Sequence, residues 1–199
     1  MADEQTTSSS YYTEEESDTE HITWADEFHK EGPHHKLAKI PIMYIEDKFN
    51  LAGINTMVEN IQRCYEVLLD KKEPKFIDQE TTLYLLIHQR YIMTKPGMED
   101  IFSKIIAKEY GECKRVLCNR APMIPIGISN KPHIASVKSY CYNCNDVYEP
   151  KESLQLLDGC AFGSTFPHLL VLNYKTQLQE REYHQYIPRI YGFKIYEDE

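Results

Sequence analysis

Apolar residues recur at three- and four-residue spacing in three stretches of the chain. Met57, Val58, Ile61, Cys64, Tyr65 and Leu68 make the first, Leu83, Leu86, Ile87 and Tyr91 the second, and Met98, Ile101, Phe102, Ile105 and Ile106 the third. That period gathers the apolar side chains on one face and predicts three amphipathic helices that need tertiary packing to persist. Asn55 is the expected N-cap of the first. The apolar texture starts at Ile42, and residues 33–109 read as an all-helical domain.

From Gly111 the pattern changes. Pro122, Pro125, Gly127, Pro132 and Pro150 break the chain into short segments carrying Val137, Val147 and several tyrosines. Short strands and turns are expected, so residues 110–165 read as a small antiparallel β domain and the fold class as α+β. The last stretch, residues 166–199, holds the apolar run Leu169 to Leu172 and ends in Ile187-Pro188-Arg189-Ile190-Tyr191-Gly192-Phe193-Lys194-Ile195-Tyr196. Aromatic residues so near this end have no obvious core to enter.

Charge adds a further division. Residues 1–31 hold ten acidic side chains and one basic one, Lys30, which accounts for the whole formal charge of −9; the remainder carries 21 acids against 21 bases. With few apolar residues, the stretch 1–32 cannot offset its ordering entropy and is expected to be a disordered acidic tail. The balanced body lacks the basic excess that neutralises a phosphate backbone, so nucleic-acid binding is not expected. No basic region followed by an apolar stretch opens the chain, and no apolar run approaches the ~18–20 residues that span a bilayer. A soluble intracellular protein is the expectation.

In a reducing compartment, clustered cysteines are better read as metal ligands than as disulfides. Cys113 and Cys118 have four residues between them, Cys141 and Cys144 have two, and 22 residues separate the pairs. Each pair can aim two sulfurs from a tight turn at one ion at about 2.3 Å, and the spacer lets the turns converge on a tetrahedron. Lys114 and Arg115, between the first two ligands, can offset the excess negative charge of four thiolates. The expected cofactor is one structural Zn²⁺ per chain, holding residues 111–148 as a zinc-ribbon-like unit with on the order of 10 kcal/mol or more of binding energy. Four sulfur ligands leave no open position for activating water.

Enzyme signatures are otherwise missing: there is no glycine-rich phosphate loop and no His-Glu-x-x-His. His88 lies within a helical pattern and reads as a packed, hydrogen-bonded histidine, Cys64 and Cys160 as core fillers, and Ser164 as a turn residue. His34-His35 could bind a metal but more often do nothing specific. Thr13, Ser17 and Thr23 each have an acid three residues on (Glu16, Glu20, Asp26), the pattern an acid-directed Ser/Thr kinase prefers and one that acidic tails also produce by chance.

Several segments together closely resemble the casein kinase II regulatory (beta) subunit family. They are Ile45 to Gly53 (IEDKFNLAG), Leu86 to Ile92 (LIHQRYI), Pro122 to Gly127 (PMIPIG), Phe166-Pro167-His168 and Pro188 to Ile195 (PRIYGFKI), in the family's order and interleaved with its cysteine spacing. The resemblance covers about residues 42–196. It implies a non-catalytic protein that homodimerises through its zinc domain, binds catalytic alpha subunits in a heterotetramer, and modulates activity, stability and choice of protein substrates. Carried over by position, Val116, Ile128 and Val147 would belong to the dimer contact. Tyr191, Phe193 and Ile195 would dock the catalytic subunit, making residues 166–199 the docking segment. Where the family has a strongly acidic loop, this chain has Asp70 to Asp78, mixed in charge. The rival readings are a zinc-ribbon module binding proteins or nucleic acid without a kinase, and a metal-dependent hydrolase or redox enzyme, which the closed ligand set disfavours.

Overall fold

A computed structural model of the chain describes residues 22–178 and 187–195. The expected disordered tail, as far as residue 21, lies outside the described residues, as do residues 179–186 and 196–199. Seven α-helices and two small antiparallel sheets make up the described part, an α+β fold. The helices are α1 (Trp24–Lys30), α2 (Ile42–Glu46), α3 (Ile61–Leu68), α4 (Ile77–Tyr91), α5 (Lys95–Ile106), α6 (Glu152–Gln155) and α7 (Phe166–Asn173).

The three periodic stretches become α3, α4 and α5. Helix α3 begins at Ile61, later than expected, because Ile54–Thr56 form a 3-10 turn and Asn60 takes a left-handed conformation (φ 50°) that resets the chain direction. Asn60, not Asn55, therefore occupies the N-cap position. Helix α4 is buried on nearly every side and forms the axis of the fold, with Leu83, Tyr84, Leu86 and Ile87 inaccessible. Its start lacks a side-chain cap, and the buried Glu80 carboxylate accepts from the Lys75 and Phe76 amides instead, at 2.9 and 3.2 Å. Helix α5 opens on Thr94, which accepts from Gly97 N–H, with Pro96 in the first turn where its missing donor costs nothing. Gly97 lies so close to the end of α4 that a Cβ there would meet the Tyr91 carbonyl oxygen at 2.3 Å.

The sheet is built from β1 (Ile124–Ile126), β2 (Lys138–Cys141) and β3 (Asp146–Tyr148), in that order. Pro125 is tolerated because β1 is an edge strand. Ile124 faces Tyr140 and Ile126 faces Lys138 across the β1–β2 pair, while Cys141 faces Asp146 across β2–β3. Ile124, Ile126, Val137 and Tyr140 enter the same buried cluster as Leu83, Ile87, Ile101, Phe162, Phe166 and Leu170. The expected boundary at 109/110 thus does not separate two cores. A separate small cluster of Cys113, Cys118, Ala121, Met123 and Cys141 lies at the cysteine end of the sheet.

A second correction concerns the tail. Residues 24–30 are helical, and Ala25 and Phe28 are buried, with the Phe28 ring stacked on His34 (centroids 3.8 Å) and 5.0 Å from Tyr84. The acidic composition of this stretch masked three aromatic or apolar anchors, Trp24, Ala25 and Phe28, that dock it.

The segment Leu86 to Ile92 explains how loops are tied to α4. His88 accepts from Ala38 N–H through Nε2 at 2.9 Å and donates from Nδ1 to the Ala161 carbonyl at 2.7 Å. Gln89 donates to the Cys160 carbonyl, and Arg90 to the carbonyls of Asn50 and Ala52 at 2.5 and 2.6 Å. Three consecutive side chains therefore tie backbone groups of three separate segments to α4, and the buried ones at Ala38 and Ala161 would otherwise lose water without replacement.

Candidate metal centre and C-terminal hairpin

The chain reaches Cys113 through an isolated bridge between Glu112 and Pro122, and Cys113 N–H donates to the Ala121 carbonyl at 2.8 Å, closing a tight loop. Leu117, Asn119 and Arg120 all take positive φ, which folds Cys118 back towards Cys113. Cys141 ends β2, and the β2–β3 turn returns Cys144, whose amide donates to the Cys141 sulfur at 3.4 Å. Two independent turns thus present two sulfurs each, as the spacing predicts.

All four sulfurs lie within 4.8 Å of one another, with Cys113–Cys144 at 3.8 Å and Cys118–Cys141 at 3.5 Å. Metal–sulfur bonds of about 2.3 Å place the corners of a tetrahedron about 3.8 Å apart. Disulfides at about 2.05 Å are a different geometry, and all four cysteines are free thiols. Asn143 donates to the Cys118 sulfur at 3.6 Å. Burial pushes the Cys113 thiol up to about 11 and the Cys141 thiol up as well. Burial acts on Cys118 in the same sense, yet hydrogen bonds from Asn143 and the neighbouring thiols bring it down to about 7. The donor set fits a metal of tetrahedral, sulfur-loving type, and the ion would displace the remaining protons. Cys64 and Cys160 are buried in the main core, away from this cluster.

Of the cations between the first two cysteines, Arg115 pairs with Asp146 on β3 at 3.7 Å. Val116 and Val147 are exposed, Val116 within the ligand loop and Val147 on β3, and Ile128, two residues past β1, is exposed too. Leu117, next to Val116 in the same loop, is exposed as well.

Near the C-terminus, β4 (Arg189–Ile190) and β5 (Phe193–Lys194) form a two-residue hairpin. Tyr191 and Gly192 have φ of 50° and 88°, the doubly left-handed turn whose twist suits a tight hairpin. Its consequence is exposure: Tyr191 is 97% accessible and Phe193 80%, with Ile195 and Ile190 also exposed. Ile190 belongs to the resembling segment but not to the expected docking set of Tyr191, Phe193 and Ile195.

Thr13 and Ser17 lie outside the described residues. Thr23 is the N-cap of α1, and its acid three residues on, Asp26, completes a capping box, a pattern that a hydroxyl-x-x-acid sequence also encodes. His34 and His35 use their Nδ1 atoms on the carbonyls of Phe28 and Gly32, so both serve the local turn. Ser164 donates its amide to Asn130. Among the described residues no helix is long and apolar enough to cross a membrane.

Comparison with known proteins agrees with this geometry. The family model described as casein kinase II regulatory subunit matches residues 23–194. The chain is 36% identical over 195 residues to casein kinase II subunit beta of Schizosaccharomyces pombe, covering 94% of this chain and 84% of the relative. It is 36% identical over 190 residues to casein kinase II subunit beta' of Drosophila melanogaster, covering 90% and 87%. Suppressor-of-stellate-like protein, also of Drosophila melanogaster, is 37% identical over 180 residues, covering 87% and 79%.

Proposed function

The chain belongs to the casein kinase II regulatory subunit family, and from that premise we propose how it performs a regulatory, non-catalytic role. It dimerises through the cysteine-bearing end of the sheet, docks catalytic alpha subunits of casein kinase II on the C-terminal hairpin, and so modulates the activity, stability and protein-substrate choice of the kinase. It works in cytoplasm and nucleus.

One Zn²⁺ per chain, held by Cys113, Cys118, Cys141 and Cys144, supplies a closed structural crosslink. The protein's part is to carry Val116 in the loop between the first two ligands and Val147 on the strand after the last two. Their positions are then fixed by the same turns that hold the sulfurs. Exposed valines and Ile128 burying against a second copy would contribute in proportion to apolar area.

The observation that carries the docking role is the hairpin, where Tyr191 and Phe193 project into solvent from a turn whose backbone is already set. A pre-formed turn loses little entropy on binding, and an aromatic entering an apolar pocket is a common hot spot. Truncating such an anchor costs about 2 kcal/mol or more, so Phe193→Ala should weaken catalytic-subunit binding at least ~10-fold while the dimer persists. A calorimetric titration of the catalytic subunit into each protein reads this directly. Equal affinities for the two proteins would remove the hairpin from the interface.

A further inference from the structure

Side chains alternate between the two faces of β2. Tyr140 enters the main core, so Ser139 and Cys141 stand on the other face, the one that carries metal ligands. Against this face the ligand loop, the chain after α5 and the chain after β3 leave a cleft of about 890 Å³. Tyr110, Met123, Tyr148 and Pro150 give it apolar walls. Ser139 lines it too, opposite Tyr148 in the β2–β3 register. The residue is 2% exposed, and its hydroxyl is buried with no hydrogen-bond partner among the described residues. A buried hydroxyl in that state is costly, and it marks a place where an incoming group supplies the missing partner.

The charges at the rim do not balance. Glu112 is held by Lys108 at 2.7 Å and by Arg120 at 3.4 Å, Asp146 by Arg115 at 3.7 Å, and Glu149 by Lys138 at 2.7 Å. Lys114 and Lys151 are exposed at the same rim, and among the described residues neither is in an ion pair. The cleft is thus apolar within and cationic at its mouth. Its size and chemistry suit a peptide in which an aromatic residue stands just ahead of carboxylates.

We propose that this cleft binds the acidic tail of the same chain, through Tyr11-Tyr12-Thr13-Glu14-Glu15-Glu16. Residues 1–21 hold seven acids and no lysine or arginine, and their two tyrosines stand just ahead of their run of three glutamates. A tyrosine ring fills the apolar part, its hydroxyl or the peptide backbone meets Ser139, and the glutamates lie against Lys114 and Lys151. Reach permits this. Lys39 pairs with Asp26 on α1, and the Tyr110 hydroxyl donates to the Lys36 carbonyl at 2.7 Å. Between these two contacts run residues 36–39, at most ~14 Å of chain, while the stretch from Thr23 back to Glu14 extends up to ~30 Å. Docked in this way, the tail is a built-in competitor that an acidic peptide of another protein must displace, and its tether keeps its effective concentration high. Neither dimerisation nor a kinase partner is needed for it.

The test uses the full chain purified with zinc. A carbodiimide joins amines to carboxylates in contact, and peptide mass spectrometry locates the links. Lys114 and Lys151 should join Glu14, Glu15 or Glu16 at least ~10-fold more often than Lys48 and Lys95, exposed lysines outside the cleft, do. When light and heavy isotope-labelled chains are combined before zinc is added, the links should stay within one isotope. Lys151→Glu, an exposed change, should cut the Lys114 links at least ~10-fold. Ser139→Leu fills the floor and removes the orphaned hydroxyl, so it should cut the links without loss of stability. A fluorescent peptide of residues 10–18 should bind the full-length variant carrying Glu14→Gln, Glu15→Gln and Glu16→Gln at least ~10-fold tighter than wild type, whose own tail competes. The proposal is overturned if the links spread evenly over exposed lysines, run between chains or survive both cleft variants, or if the peptide binds the two proteins equally or binds neither.

Discussion

Replacing His88 by leucine removes a side chain of similar bulk from the centre of the fold and leaves two backbone groups behind. The Ala38 amide and the Ala161 carbonyl belong to residues with 0% exposure, and both lose the imidazole that replaced water for them. A buried group left unsatisfied costs about 1–3 kcal/mol, so the pair predicts about 2–6 kcal/mol. Leucine returns about 1 kcal/mol through its greater apolar burial. A net loss of about 3 kcal/mol is expected, a large share of the roughly 5–15 kcal/mol that stabilises a domain. Urea unfolding at neutral pH, followed by Trp24 emission, measures it, since Trp24 packs 5.6 Å from Tyr84 on α4. The same pair of proteins carries a pH signature. Burial lowers the His88 pKa from 6.5 to about 4, only partly opposed by the Ala161 carbonyl. The unfolded chain therefore takes up a proton near pH 6.5 that the folded chain refuses until about pH 4. Wild-type stability from this group is full above pH 6.5 and declines as pH falls towards 4, by about 3 kcal/mol in total at about 1.4 kcal/mol per pH unit. The leucine variant lacks this group, so the gap between the two proteins should narrow across that window. Comparing them at each pH cancels acid release of metal and the parallel titration of His29, whose pKa burial also lowers to about 4. A loss under about 0.5 kcal/mol at neutral pH, or a gap constant from pH 7 to 4.5, would refute the reasoning.

Other consequences can be measured alongside. Cys118→Ser should abolish metal binding and, by hydrogen exchange, strip protection from residues 112–121 and 141–148 while α4 and α5 stay protected, because the metal-side cluster is small and Ile124, Ile126, Val137 and Tyr140 belong to the main core; loss of protection everywhere would show the two to be inseparable. Gly127→Ala places a Cβ 2.0 Å from the Gly159 carbonyl oxygen and should cost about 3 kcal/mol or more in denaturant unfolding, with an unchanged midpoint contradicting the close approach. Asp26→Ala removes the capping box and the Lys39 pair and should redshift Trp24 emission with little change in metal content; unaltered emission would mean that apolar contacts alone hold α1.

How much of this was legible in the sequence depends on how local the signal was. Cysteine spacing is local, and the two turns deliver the sulfurs as the spacing implies. The helical periods of α4 and α5 are strong for the same reason. Helix α3 starts late because a left-handed residue, Asn60, ends the preceding turn, and nothing in apolar spacing encodes a positive φ at a non-glycine. Helix α1 was hidden by its acidic surroundings, although Thr23 and Asp26 spell a capping box that brackets Trp24 and runs into Phe28. The joining of helices and sheet into one core could not be read locally. It rests on long-range pairs such as His88 with Ala161 and Gly127 with Gly163, whose partners lie 73 and 36 residues apart along the chain. The hairpin aromatics were visible as residues without a core, and the structure gives the reason: a two-residue turn holds them outward.

The most direct measurement is native mass spectrometry of the chain mixed with catalytic alpha subunits of casein kinase II. The account predicts a complex of two copies of this chain, each with one zinc ion, and two catalytic subunits, and predicts that Phe193→Ala leaves the zinc-loaded dimer but depletes the larger complex. A chain that remains monomeric and metal-free, or one whose complex with the kinase survives Phe193→Ala undiminished, would contradict it.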